Sequence, residues 1–297
     1  MKRRDFIKAT SLSAVAVSAS GFVFRNGDTY VGDCETTTDI LGPFYRPDSP
    51  VRSNLLIPGE DGDVVDLSGV IRHKDCVTPY GNAKVELWHC NKHGVYDNSS
   101  SDYTYRGTSF SDASGRYFFK TNVPVPYAVG DGTTRPAHFH LMVTASGYQP
   151  LVTQLYFTGD PYIKDDTAAS DVAARRRILP IDTSRSGTKR VRYDVSMSPK
   201  LKVSLPILDR LAGTYVDESD STRTSEFFRF NDRLWKKTDV FGNMYEYLGN
   251  NTFLFTGVTI RTILSHFAIM PDGSIRLTDT TTSRTGAQRT SISVKTS

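Results

Sequence analysis

VVDLSGVIRH (Val64–His73) opens the series of short runs that decides the fold, followed by AKVELWHC (Ala83–Cys90), GRYFFKTNV (Gly115–Val123), FHLMVTAS (Phe139–Ser146), LVTQLYF (Leu151–Phe157) and KRVRYDVSMS (Lys189–Ser198). Each run is heavy in Val, Tyr, Phe and Thr, and the runs are divided by Gly, Pro, Asn and Asp. That is the pattern of antiparallel strands in a sandwich or barrel. Upstream, DCETTTDILGPFYRPDSPVRSNLLIPGEDGD (33–63) is too punctuated for regular structure and reads as a loop wrapping the core. Helical periodicity is scarce. Its best stretch is Thr167 to Arg177, whose closing Arg175-Arg176-Arg177 reads as a solvated face rather than an anion site.

Pro199 and Pro206 flank a seam. Beyond it AGTYVDE, EFFRFND, RLWKKTD, YEYLGNN, TFLFTGV, SHFAIMP and SIRLTDT follow one another, separated by turns such as Asn231-Asp232, Gly249-Asn250 and Asp272-Gly273. The spacing predicts an up-and-down β meander, a small barrel-like domain over 205–297. It holds one histidine, His266, no cysteine and no cluster of ligand-type residues. Its Trp235, Tyr245, Tyr247 and Phe253 are expected in its own core. Two roles stay open for this domain: a platform for polymeric lignin or polysaccharide, or a lid and assembly surface contacting protein.

The 297 residues include 36 Lys+Arg against 32 Asp+Glu, a net +4. Residues 1–24 carry Lys2, Arg3, Arg4 and Lys8 against Asp5, so most of that charge lies in one segment and the remainder is near neutral. A nucleic-acid partner is not expected. MKRRDFIKATSLSAVAVSASGFVF has a basic head, a short apolar stretch and small residues around Ala14, Ala16 and Ala19. It reads as an export signal, and its Arg-Arg-Asp-Phe-Ile-Lys resembles the bacterial twin-arginine type that carries folded proteins. The expected location is periplasmic or extracellular, with no stable membrane anchor, because nothing reaches a spanning length. Three cysteines, Cys34, Cys76 and Cys90, allow one intramolecular disulfide, with Cys34 to Cys76 favoured.

Four of the six histidines lie between residues 89 and 140, and the sharpest constellation is RPAHFH, Arg135 to His140. Two histidines at i and i+2 of a strand project to one side, so His138 and His140 can offer two imidazoles to one metal. A cupin-type site or a two-His-one-carboxylate triad needs a nearby acid, and Leu141 to Ser146 supply none. Tyr127 in PVPY and Tyr96 in VELWHCNKHGVY precede the pair.

GPFY (Gly42 to Tyr45), VELWHCNKHGVY, DASGRYFFKT, PVPY, RPAHFH and TQLYFTGD (Thr153 to Asp160), in this order over roughly 34–198, resemble the intradiol ring-cleavage dioxygenases. The resemblance implies a prealbumin-like antiparallel β-sandwich catalytic domain over 25–200. It implies one Fe(III) per chain, held by Tyr96, Tyr127, His138 and His140. Two phenolates favour ferric iron, and two neutral imidazoles leave a position for hydroxide. Tyr127 would leave the metal to take a substrate proton, Arg135 would stabilise the anionic ring, and Gln154 would supply an amide beside it. The implied reaction takes a small catechol and O2 to a muconate-type dicarboxylate, with no organic cofactor. The rival is a non-catalytic prealbumin-like binding module of the cell envelope with a degenerate metal site. His89 and His93 are expected to be structural or solvent-facing, His73 and His266 structural, and Trp88 to pack in the sandwich core. Tyr45, Pro79 and Tyr80 could wall the pocket or simply pack. The long N-terminal helical dimerisation region of the catechol and hydroxyquinol enzymes is not expected here, a signal peptide and loop taking its place, and the exported state resembles the secreted branch of the family.

Overall fold

The computed structural model describes residues 36, 38–129, 132–185, 187–198, 201, 203–255, 261–283 and 285–296. It also gives the backbone of three short strands, β1 (Ala16–Ser18), β2 (Gly21–Asn26) and β3 (Thr29–Gly32), which pair among themselves. The rest of the expected export signal and Cys34 lie outside the described residues.

The strands of the first domain follow in chain order as β4 (Val64–Arg72), β5 (Lys84–Trp88), β6 (Arg106–Phe110), β7 (Arg116–Asn122), the hairpin β8 (Tyr127–Ala128) and β9 (Thr134–Arg135), β10 (His138–Thr144), β11 (Leu151–Phe157), β12 (Ile178–Leu179), β13 (Asp182–Thr183), β14 (Lys189–Arg192) and β15 (Val195–Ser196). One sheet has the order β12-β11-β10-β5-β6; the other joins β13, β14, β4 and β15, with β7 antiparallel to β4. Alternate residues meet between the sheets: Val65, Leu67 and Ile71 of β4, Val85 and Leu87 of β5, Phe119 of β7, Phe139, Leu141 and Val143 of β10, and Leu155 of β11. The strands expected from composition and turn punctuation alternate with a period of two, and that alternation assembles this core.

β10 is buried along nearly its whole length and β11 throughout. Their outer face carries Met142, Val152 and Tyr156, covered by Leu41 and Tyr45 of the wrapping loop, by Ala168, Ala169 and Ala174, and by Trp235 and Met244 of the second domain. The site grows on this covered face.

The helix expected over Thr167 to Arg177 is corrected: turns lead into a short 3-10 helix, Val172–Arg177. The side chain of Asp166 accepts the amides of Ala168 and Ala169, tightening the first turn, and the segment must return so that Ile178 pairs with Tyr156. The arginine run also divides. Arg175 and Arg176 are exposed, whereas Arg177 is buried and ion-paired with Asp39 at 2.9 Å.

After the helix α1 (Leu205–Leu211), the expected meander closes on itself as an eight-stranded barrel: β16 (Gly213–Asp217), β17 (Thr224–Phe230), β18 (Arg233–Lys237), β19 (Gly242–Gly249), β20 (Thr252–Phe255), β21 (Arg261–Ile269), β22 (Ile275–Ser283) and β23 (Gln288–Lys295). Leu208 and Leu211 of α1 join Tyr215, Phe227, Leu234, Tyr245, Phe253, Phe267 and Leu277 in its core. Trp235 is not among them. It faces outward from β18 and packs on Tyr45 of the first domain. Trp88 is corrected in the same way: it lies in this second cluster, stacked on His140, and not between the sheets.

Cys76 is disulfide-bonded and Cys90 is a buried free thiol, pushed up to about 11 by burial. Among the described residues no helix is long and apolar enough to cross a membrane.

Candidate metal centre

Strand register builds the centre. His138 stands opposite Tyr156 across the β10–β11 pair, and His140 stands opposite Gln154; on its other side His140 faces Trp88 of β5. Phe139 between the two histidines points into the sandwich core. In the β8–β9 hairpin Tyr127 is the partner of Arg135, so one two-residue pairing delivers both side chains to the same place. Tyr96 arrives on the turn after β5. Gly94 of that turn has φ +75°, and a Cβ there would meet the Cβ of Tyr127 at 2.6 Å, so glycine is what lets the two segments close.

His138 Nε2 and His140 Nε2 lie 3.2 Å apart, and the Tyr96 hydroxyl is 3.4 Å from the first and 3.1 Å from the second. Tyr96 also hydrogen-bonds Tyr127, whose ring centroid is 5.6 Å from that of His138. Nδ1 of His138 donates to the Pro136 carbonyl at 2.6 Å, which leaves its Nε2 as a lone-pair donor. Burial and the Arg135 cation push His138 down to about 3; burial and its neighbours hold His140 well below the ordinary imidazole range. Nδ1 of His140 is buried without a partner among the described residues.

With the His140 proton on Nδ1, the two Nε2 lone pairs face each other 3.2 Å apart, a geometry that a cation between them satisfies. Two donors each about 2.1 Å from one metal stand roughly 3.0–3.4 Å apart at right-angled to tetrahedral spacing. The donor set therefore fits a metal. Among the described residues no three His, Cys, Asp or Glu side chains gather to hold one, so the tyrosines must complete it. Burial pushes the Tyr96 and Tyr127 phenols above their ordinary value, so becoming phenolates requires the charge of a bound ion.

Around these four runs a polar frame. Arg135 Nε donates to Asp166, and its Nη2 to Gln154 Oε1 at 2.7 Å. Gln154 Nε2 donates to the Ile40 carbonyl at 2.8 Å, and the Tyr156 hydroxyl donates to Asp39 at 3.1 Å. Asp39 pairs in turn with Arg177; burial raises its pKa and Arg177 opposes that rise. Burial acts against the Arg135 charge, but Tyr156, Asp166 and Tyr127 outweigh it. Gly42, with φ +72°, lies against His140: a Cβ there would sit 3.0 Å from its Cε1. The Phe44 ring stacks on Tyr96 at 4.3 Å.

The structure thus brings Tyr96, Tyr127, Arg135, His138, His140 and Gln154 together. It adds Asp39, Asp166, Tyr156, Arg177 and Gly42, which sequence reasoning missed. Tyr156 could have been found, since it lies two residues beyond Gln154 on the same strand face; the carboxylates come from turns with no periodicity. His89 is buried, its rings' nitrogens bonded to the Cys90 carbonyl and Thr121 hydroxyl, and His93 is exposed. Tyr80 packs on His73 and Tyr148 beside the β10–β11 turn, at the far end of β10 from His138, while Tyr45 lies against Trp88 at the site.

A family model described as Dioxygenase (Dioxygenase_C) matches residues 40–199, more than half of the chain. Catechol 1,2-dioxygenase of Candida albicans is 36% identical over 152 residues, covering 44% of this chain and 50% of that protein. Chlorocatechol 1,2-dioxygenase of Rhodococcus opacus is 31% identical over 170 residues, 50% of this chain and 65% of that one. The solved catechol 1,2-dioxygenase of Acinetobacter radioresistens aligns with a TM-score of 0.51 at 25% identity, over 56% of this chain and 63% of its own. The chain spans about half to two thirds of the length of these relatives. Sandwich, paired histidines and matched segment coincide, and the chain belongs to the intradiol ring-cleavage dioxygenase family.

Proposed function

We propose that the chain is a non-haem Fe(III) dioxygenase that opens a catechol between its two hydroxyl-bearing carbons, adding both atoms of O2 to give a muconate-type dicarboxylate. One observation carries this reading: Tyr96 Oη, His138 Nε2 and His140 Nε2 converge within 3.1–3.4 Å, with Tyr127 bonded to Tyr96. Relatives are named for catechol, chlorocatechol and hydroxyquinol, which makes a small catechol the substrate class. The family binds iron, and Tyr96, Tyr127, His138 and His140 would hold one ion per chain.

Held by Tyr96, Tyr127, His138 and His140, a ferric ion would supply the Lewis acidity that activates a catechol toward O2. The chain's residues supply the rest. Of the four candidate ligands Tyr127 alone is partly exposed, the others being 6% exposed or less, so its phenol is the one free to turn outward and hold a substrate proton at Oη. Burial keeps His138 and His140 unprotonated and able to stay in place throughout. Arg135 is oriented by Asp166 and Gln154, and its Nη1 has no partner among the described residues. That leaves a fixed N–H and a fixed positive charge for the negative charge that develops on the ring. Phe44 and Trp88 exclude water from Tyr96 and His140.

The twin-arginine-type head supports export, and a disulfide at Cys76 fits an oxidising compartment. A non-catalytic module is not favoured by the family membership. A polymer platform on the barrel finds little support, since Trp235, Tyr245 and Phe253 are 2%, 4% and 1% exposed. Oxygen uptake on a panel of catechols, with product spectra, tests the reading. Iron-loaded protein should be red from tyrosinate-to-iron charge transfer and should yield a muconate; colourless, inactive iron-reconstituted protein would end the proposal.

A further inference from the structure

Every residue from Asp39 to Tyr45 except Pro43 bears on the centre or on the groups around it. Asp39 accepts from Tyr156, the Ile40 carbonyl accepts from Gln154, Leu41 packs in the cluster that holds Trp88 and Tyr96, Gly42 lies against His140, and Phe44 stacks on Tyr96. Tyr45 ends this segment, and its neighbours belong to two domains. On one side its ring meets Trp88 edge-on at 5.3 Å, and its hydroxyl donates to Glu86 at 3.3 Å. On the other it stacks on Trp235 of β18 at 5.6 Å and 19°, with Phe241 of the barrel at 5.9 Å.

Behind Trp235 stand Phe228, Phe230 and Phe241, with centroids 5.1–6.5 Å from it. These rings come from the outer wall of the barrel and its β18–β19 turn. A barrel built to stand alone would expose such a patch to water; here Tyr45 and Trp88 share its cluster, and Trp235 is 2% exposed. Trp88 in turn lies nearly parallel to the His140 ring, at 4.9 Å and 9°. Both indole N–H groups are buried without a partner among the described residues, so ring packing and not hydrogen bonding fixes these two side chains.

From this chain of contacts we infer that the barrel is a fixed wall of the metal centre, and that Trp235 is a positioning residue acting through Tyr45 and Trp88 on His140 and through the 39–45 segment on Gly42 and Phe44. The inference rests on the proposed site but gives the second domain a role of its own. The domain holds the loop that closes over His140 and keeps the imidazole plane from tilting.

The test compares W235A, W235F and F241L with F267L, a barrel-core variant remote from the contact. Hydrogen–deuterium exchange of the 39–45 amides needs no iron, and the visible charge-transfer band of iron-loaded protein reads the ligands directly. W235A should speed exchange at 39–45 by roughly tenfold or more and shift the band. F241L should do both more weakly, W235F should return towards wild type, and F267L should leave both unchanged. Wild-type exchange rates and an unmoved band in folded W235A and F241L would overturn the inference, as would equal effects in W235A and W235F. A colourless wild type would instead sink the iron reading, and the exchange comparison would still decide the role of the barrel.

Discussion

The sandwich and the barrel are both closed around aromatic and aliphatic cores, yet they bury different chemistry. At its site end the sandwich hides His138, His140, Gln154, Asp39, Asp166 and Arg177, none more than 6% exposed. The barrel hides mostly rings and aliphatic side chains, and its buried polar groups are scattered rather than gathered: Ser265 bonded to Asp279, Asp217 accepting from Ser219, and Arg233 paired with Asp232. Burying charge costs several kcal/mol per ion unless partners are well placed, so a domain that does it repeatedly in one place is built around what those groups hold. A domain that buries rings instead offers shape and stiffness.

The sharpest way to break that contrast is to remove a donor from each side. His138→Ala should lower iron affinity by more than ~100-fold, since even outer groups reach that range, and abolish oxygen uptake, whereas Tyr245→Phe in the barrel should leave both intact. Metal analysis with oxygen electrode assays decides. Arg135→Gln should keep the iron and its colour but lower kcat by roughly 10²–10³-fold, as expected when a fixed donor to developing charge is lost. Phe267→Ala should cost about 3–5 kcal/mol in denaturant unfolding of the barrel, with the iron band of the native protein unchanged.

The smallest effect concerns pH. Burial holds His89 at about 4 in the folded chain, against an ordinary 6.5 when unfolded. The unfolded state therefore takes up the proton first as pH falls. Stability is flat above about 6.5 and declines between about 6.5 and 4, by up to ~3 kcal/mol from this residue. His89→Gln should flatten that part of the profile in unfolding measured at pH 7.5, 5.5 and 4.5.

Strands and the meander were legible because β-forming residue types and turn residues are local signals, and the i, i+2 histidines because the alternation of a strand is local too. Trp88 and Trp235 were misplaced because residue type announces burial without saying in which cluster, and a strand covered on both faces erases the alternation that would tell. The Thr167 to Arg177 stretch misled because its periodicity competes with Asp166 capping and with the return to β11. Arg177 was missed because its partner Asp39 lies 138 residues away, in a loop without pattern. Cross-domain contacts leave no periodic trace, so the meeting of Tyr45 and Trp235 could only be seen in three dimensions.

The closure of the barrel has one more consequence. A sheet that meets itself presents no row of unpaired amides to another chain, so the second domain adds bulk without adding a template for aggregation. The strands also cannot slip in register one at a time: displacing any one breaks the pairing of β16 with β23 and of all those between. Its melting should be all-or-none, and whatever rests on its outer wall is released in a single event.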